Sequence, residues 1–126
     1  MTEMIETLHH VSLIVADTRR ALGFYRDLLG LTVDPARPDL GYPGAWLQVG
    51  AQQIHLLELP NPDPLDGRPA HGGRDRHVAL AVRDLDRLAA ALTAANIPFT
   101  RSRSGRRALF CRDLDANALE FVETGG

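Results

Sequence analysis

The chain writes one eight-residue phrase twice. "HVSLIVAD" fills residues 10–17 and "HVALAVRD" fills residues 77–84, each opening on a histidine and closing on an aspartate. Such self-similarity marks a duplicated supersecondary unit, and it limits the fold more than any bulk property does. At 126 residues the chain has room for one ordinary domain, so two copies mean two half-domains sharing a core. The expectation is a single domain over residues 1–126, with a first module at about 5–59, a linker at 60–74 and a second module at about 75–124. That linker holds "PNPDPLDGRPAHGG", dense in Pro and Gly.

The periodicities of the two modules match. Over residues 10–15, Val11, Leu13 and Val15 share one strand face and His10, Ser12 and Ile14 the other. Asp17 is placed to cap a helix with the apolar stripe Ala21, Tyr25, Leu28 and Leu29, and Gly30 is its natural stop. Short strands are expected at Leu31–Val33, Ala45–Val49 and Gln53–Leu57. In the second module His77–Val82 alternates likewise. Asp84 caps a helix with the stripe Leu85, Leu88, Ala89 and Leu92, which Asn96 and Pro98 end. Strands follow at Phe99–Arg101, Arg107–Arg112 and Ala118–Val122. Each half thus reads strand, helix, three strands: an α+β protein.

The formal net charge of −2 predicts no general affinity for nucleic acid or anionic membrane. No apolar run reaches the length of a membrane span, and "MTEMIETLHH" lacks the basic and apolar regions of a secretory signal. Cys111 is the only cysteine, so no internal disulfide can form. A cytoplasmic protein is expected.

The strand face turned away from the helices carries the chemistry. It presents His10 and Ser12 in the first module and His77 in the second. Aligning Ile54-His55-Leu56 with Leu119-Glu120-Phe121 makes His55 and Glu120 equivalent. Three imidazoles and a carboxylate are first-row metal ligands, so His10, His55, His77 and Glu120 are the candidate set for Zn, Ni, Mn, Co or Fe(II). Taken singly, a strand histidine is more often a satisfied core residue; the repeat-equivalent placement is what favours a site. His9 falls on the opposite parity and reads as structural or outer-sphere. His71 reads as a solvated loop residue, and Glu58 and Glu123 as strand-end charges.

The stretches "LHHVSLIVAD", "FYRDLLGL", "GAWLQVG", "RHVALAVRD" and "LFCRDLDANALEFVE" resemble the vicinal oxygen chelate superfamily, which includes glyoxalase I, methylmalonyl-CoA epimerase, the fosfomycin-resistance enzymes, the extradiol dioxygenases and the bleomycin-resistance proteins. The resemblance implies two βαβββ modules forming an incomplete barrel around a divalent metal, with ligands at His10, His55, His77 and Glu120. It further implies a small-molecule substrate and a homodimer whose site is assembled from one chain or from two. Two departures stand out. His55 occupies a position where glyoxalases and epimerases tend to have Glu or Gln. Leu114 and Ala116 stand where such proteins often have Pro and Gly; if that turn needs positive φ, Ala116 costs about 1 kcal/mol.

The leading expectation is a lyase or isomerase that stabilises an enediolate, with Glu120 as the base and His55 as a second catalytic group. Ser12, Trp46, Gln48 and Phe110 are expected to line the substrate pocket. Arg107, from "RSRSGRR" with Arg101, Arg103 and Arg106, is a candidate grip on an anionic group, against the plainer reading of a solvated hairpin. Cys111 has nothing nearby to activate it as a nucleophile. The alternatives are an Fe(II) dioxygenase using His10, His77 and Glu120, a thiol transferase of fosfomycin-resistance type, and a ligand-sequestering protein without metal.

Overall fold

In a computed structural model, which describes residues 3–125, the chain forms two compact units that divide between Asn61 and Pro62. The first holds β1 (His10–Val15), α1 (Thr18–Leu22), a π-helical segment (Gly23–Leu28), β2 (Thr32–Val33), β3 (Gly44–Val49) and β4 (Gln52–Glu58). The second holds a 3₁₀ turn (Gly72–Arg74), β5 (His77–Val82), α2 (Leu85–Ala94), β6 (Phe99–Arg101), β7 (Ala108–Arg112) and β8 (Ala118–Glu123). Each unit builds an open four-stranded mixed sheet, ordered β1-β4-β3-β2 and β5-β8-β7-β6. In both, the first strand runs parallel to the last and the remaining pairs are antiparallel. The α+β class with duplicated βαβββ modules is therefore what the repeat foretold.

The strand alternation separates two faces. In the first unit Val15, Ala45, Leu47, Ile54 and Leu56 are buried, together with Ala21, Phe24 and Tyr25 of the helical segment. In the second, Leu109, Leu119 and Phe121 are buried with Leu85, Ala89 and Leu92 of α2. These inner faces are the apolar parities of the strands. The other parity carries the histidines and Glu120.

The helix starts follow the expected chemistry. Asp17 accepts a hydrogen bond from Arg20 N–H at 3.1 Å, and Asp84 accepts one from Arg87 N–H at 3.0 Å. Each helix also has a second acceptor at its first turn. Thr18 N–H donates to Glu58 Oε1 at 2.7 Å, and Leu85 N–H donates to Glu123 Oε2 at 3.0 Å. Glu58 and Glu123 are thus half-buried helix caps reaching across from the last strand of each unit, not merely strand-end charges.

The first helix departs from its expected stripe. Its α-helical part is short and the chain widens into a π-helical segment, where Leu29 N–H bonds Phe24 C=O at 3.0 Å. The extra residue per turn rotates the following side chains. Phe24 and Tyr25 are buried, while Leu28 and Leu29, expected in the stripe, are half-buried. Gly30, at φ 80°, ends the segment as expected. In the second unit the Pro/Gly-rich stretch is clasped to the sheet. Arg112 reaches Asp75 at 2.8 Å and the Pro69 carbonyl at 2.6 Å, and Arg68 reaches Asp75 at 2.8 Å.

Candidate functional site: two histidine-bearing faces

The strand registers make the repeat concrete. His55 of β4 lies between Ser12 of β1 and Trp46 of β3. Glu120 of β8 lies between Ala79 of β5 and Phe110 of β7. His10 and His77 stand two residues before Ser12 and Ala79 on the same faces. His55 is therefore the counterpart of Glu120, and Trp46 of Phe110.

In the first unit the rings stack. His10 and His55 have centroids 4.0 Å apart with planes inclined by 17°, and Trp46 covers the far side of His55 at 4.5 Å and 11°. Gln53 sets the tautomer of His55. Its amide NH₂ donates to Asp34 Oδ2 at 2.9 Å and Gln48 Oε1 at 2.9 Å. A carboxylate oxygen accepts, so the amide orientation is fixed and Gln53 Oε1 takes the bond from His55 Nε2–H at 2.8 Å. The lone pair of a neutral His55 is then on Nδ1. Burial, and after it the neighbouring His10, His9 and Arg37, hold the His55 pKa below the ordinary histidine value, which favours the neutral ring. His9 Nδ1 lies 2.9 Å from His10 Nδ1, so one of these nitrogens donates and the other accepts. Gln48 Nε2 donates to Gly50 C=O and Gln52 C=O at the hairpin turn.

In the second unit His77 Nδ1 is 2.8 Å from the Asp75 carbonyl, an acceptor, so Nδ1 carries the proton. The Asp75 carboxylate is held by Arg68 and Arg112, whose guanidinium groups keep its pKa below the usual carboxylate range. His77 Nε2 consequently faces Glu120 Oε1 at 3.3 Å. Glu120 is 3 % exposed. Its other oxygen, Oε2, accepts from Arg106 Nη2 at 2.8 Å. Phe110 stands edge-on to His77 at 5.2 Å and to His71 at 4.8 Å.

His71 differs from its expected place in a solvated loop. It is buried, and its Nδ1 lies 2.7 Å from Thr100 Oγ1. The glycines that follow permit this packing: a Cβ on Gly73 would come within 2.8 Å of the His71 ring and 3.2 Å of Phe110. Arg107 turns to Glu123 at 2.8 Å and Asp86 at 3.1 Å, and Arg106 is the arginine that reaches Glu120. Nothing in the sequence pattern separates these adjacent arginines. The same unit contains a cavity of about 360 Å³ walled by Ile97, Phe99, Thr100, Phe110, Cys111 and Leu114. Burial pushes the Cys111 thiol up to about 12, which leaves it protonated and unsuited to nucleophilic attack at neutral pH.

Of the four ligand candidates, the structure brings His10 beside His55 and His77 beside Glu120. Among the described residues no group of three or more His, Cys, Asp or Glu side chains is gathered to hold a metal by itself. The chemistry of the His77–Glu120 pair nevertheless suits a divalent cation. A neutral imidazole nitrogen and a carboxylate oxygen at 3.3 Å are two acceptors facing one another, and a proton or a metal ion between them resolves the conflict. The anchored Nδ1–H of His77 is the outer hydrogen bond that orients metal-binding histidines.

A family model described as "Glyoxalase/Bleomycin resistance protein/Dioxygenase superfamily" matches residues 7–121. Glyoxylase I 4 of Arabidopsis thaliana is 28 % identical over 99 residues, which cover 78 % of this chain; the match spans 56 % of that relative's length. YaeR of Escherichia coli, an uncharacterized protein, is 29 % identical over 136 residues covering 94 % of this chain and 97 % of YaeR. Lactoylglutathione lyase from Agrobacterium tumefaciens superposes with a TM-score of 0.67 at 23 % identity, covering 96 % of each chain. A variant of FosX, a fosfomycin resistance protein from Listeria monocytogenes, complexed with Mn(II) and 1S,2S-dihydroxypropylphosphonic acid, superposes with a TM-score of 0.74 at 18 % identity, covering 97 % of this chain and 95 % of that one. At these identities the solved structures establish the shared fold. Among the described residues no helix is long and apolar enough to cross a membrane.

Proposed function

The chain belongs to the Glyoxalase/Bleomycin resistance protein/Dioxygenase superfamily, and within it we propose a divalent-metal-dependent enzyme of glyoxalase or epimerase type. Its substrate is a small molecule with two vicinal oxygens. The observation that carries this reading is the His77–Glu120 pair: a ring nitrogen and a buried carboxylate face to face, with the ring locked through Asp75. The ligands proposed are His77 and Glu120 in the second unit and their counterparts His10 and His55 in the first. The Mn(II) and the dihydroxypropylphosphonic acid held by the FosX variant support a divalent ion and a vicinal-oxygen ligand.

A bound Zn, Ni, Mn, Co or Fe(II) ion supplies Lewis acidity toward an oxygen that gains negative charge in the reaction. The residues do the rest. Glu120 takes the proton from the carbon next to that oxygen, its Oε1 giving up the ligand position to do so. The neutral His55 ring, its Nε2–H held by Gln53, serves through its Nδ1 lone pair as a ligand. Ser12 orients a substrate oxygen, while Trp46, Gln48 and Phe110 line the substrate's path. Stacked aromatic and apolar walls beside convergent polar groups are the usual make-up of a small-molecule site. The active form is a homodimer in the cytoplasm.

Elemental analysis of protein purified without chelator, beside His77→Ala, tests the ligand assignment; we expect metal in the native protein and a clear loss in the variant. Equal contents would sink it. The reaction class is read from anaerobic assays of Zn-, Ni- and Fe(II)-loaded protein on 2-oxoaldehyde–thiol adducts, acyl-CoA esters and catechols. Turnover with a redox-inert metal without O₂ is the expected result. Turnover confined to a catechol, Fe(II) and O₂ would replace the proposal with a dioxygenase.

A further inference from the structure

Glu120 divides its two oxygens between different partners. Oε1 faces His77 Nε2 at 3.3 Å, and Oε2 accepts from Arg106 Nη2 at 2.8 Å. The carboxylate side chain is 4 % exposed and that of Arg106 is 58 % exposed, so the arginine reaches in from the surface to a buried charge. Its own position is braced: Arg106 Nε donates to Ser104 Oγ at 3.2 Å, Ser104 Oγ lies 2.7 Å from Ser102 Oγ, and Gly105 makes the turn at φ 85°. The neighbouring Arg107 is occupied by Glu123 and Asp86. The hairpin thus delivers one guanidinium, with its approach set, to one oxygen of one carboxylate.

We infer that Arg106 is a positioning residue that pins Glu120 Oε2, so that Oε1 alone is offered beside His77 Nε2 as a single-oxygen ligand. The inference rests on the metal reading given above. A carboxylate is free to rotate about its terminal bond and to bind a cation through one oxygen or both. A guanidinium on Oε2 removes that freedom before the ion arrives. Ligating carboxylates commonly carry such outer hydrogen bonds, which fix the ligand atom and contribute to affinity. The burial of Glu120 raises the stakes. An exposed ion pair contributes little, but removing the partner of a buried carboxylate leaves its oxygen to find another donor by moving.

The sign of the effect separates this role from bulk electrostatics. Removing a cation near a divalent-metal site, taken as charge alone, tightens metal binding. Removing the group that holds a ligand in place weakens it. Competition of the full-length protein with a chromophoric chelator for Zn(II) and Co(II) measures the affinity directly, with Arg106→Met and Arg106→Gln as variants and Arg107→Met as the control. Far-UV circular dichroism and Tm verify the fold of each. We expect both Arg106 variants to bind about 10-fold more weakly, within the range typical of outer-shell substitutions, and to show an altered visible spectrum of bound Co(II). Arg107→Met should match the wild type. Affinity of the Arg106 variants within twofold of wild type, or tighter, overturns the inference while leaving the metal reading intact. Equal weakening by Arg107→Met overturns it too, because the effect would then not act through Glu120. Absence of metal binding by the wild-type protein defeats the metal reading itself, and this inference with it.

Discussion

Ala116 adopts φ 65°, in the left-handed region where a Cβ is unwelcome, at the turn between β7 and β8. The turn is built around Asp113, whose Oδ1 accepts from the N–H groups of Asp115 at 2.8 Å and Asn117 at 2.9 Å. The Ala116 carbonyl also accepts from Arg112 Nη1 at 2.9 Å, so the strained residue is tied to the arginine that braces Asp75. Every one of these bonds is independent of the Ala116 side chain. Ala116→Gly should therefore stabilise the protein by about 1 kcal/mol, relief of the left-handed conformation outweighing the added freedom of the unfolded chain. Urea denaturation measures it, and a midpoint unchanged or lowered would reject the strain. This strain was expected from the resemblance, since Ala116 stands where members of that superfamily often have glycine. The placement of His71 was not. A histidine in a Pro/Gly-rich stretch gives no periodic signal, and its burial depends on the contacts with Phe110 and Thr100 that the following glycines allow. Arg106 and Arg107 were likewise inseparable, since hairpin geometry decides which guanidinium reaches which carboxylate.

The helices show where local signals suffice and where they stop. Asp17 and Asp84 are readable as caps because an N-cap bond spans residues adjacent in sequence. Glu58 and Glu123 cap the same helices from strands far along the chain, at |i−j| of 40 and 38, and no window of sequence contains both partners. Their equivalence is visible only in the register, which sets Val15 opposite Glu58 and Val82 opposite Glu123. The π-helical segment left no periodic signal either: the extra residue in the turn accompanies the burial of both Phe24 and Tyr25, which a regular helical stripe does not foretell. The Glu123 cap carries a pH signature. Its carboxyl is held below the ordinary glutamate value, first by Arg107 and then by the Leu85 N–H. A depressed folded pKa adds stability above the unfolded pKa and loses it as pH falls through the folded one. Glu123→Gln should therefore be less stable than wild type at neutral pH, and the gap should narrow from about pH 6 to about pH 3. Urea midpoints across that range provide the measurement; a gap independent of pH would show that the carboxylate charge contributes nothing.

At the scale of the whole molecule the repeat delivers two sheets of the same order, and in each the strand that opens the unit lies at an edge. β1 and β5 are six residues long, and each begins with a proposed ligand histidine. Edge strands are places that proteins commonly cover or blunt. Just before β1 the chain exposes Met4 at 98 %, Ile5 at 80 % and Leu8 at 77 %, an apolar run that a lone surface residue's tolerance does not explain. A second copy of the chain is the cover we propose. Closed two-fold association is the commonest way for one sequence to bury its own surface. The expected species in solution has twice the 13.8 kDa chain mass. A specific interface commonly buries on the order of 1,600 Å² in total, enough to persist at micromolar concentration. Sedimentation equilibrium at that concentration decides the matter. Replacing Ile5 and Leu8 with aspartate should shift the mass toward the monomer without altering the far-UV spectrum. A wild-type protein that sediments as a monomer throughout would reject the dimer, and the active unit would then be the single chain.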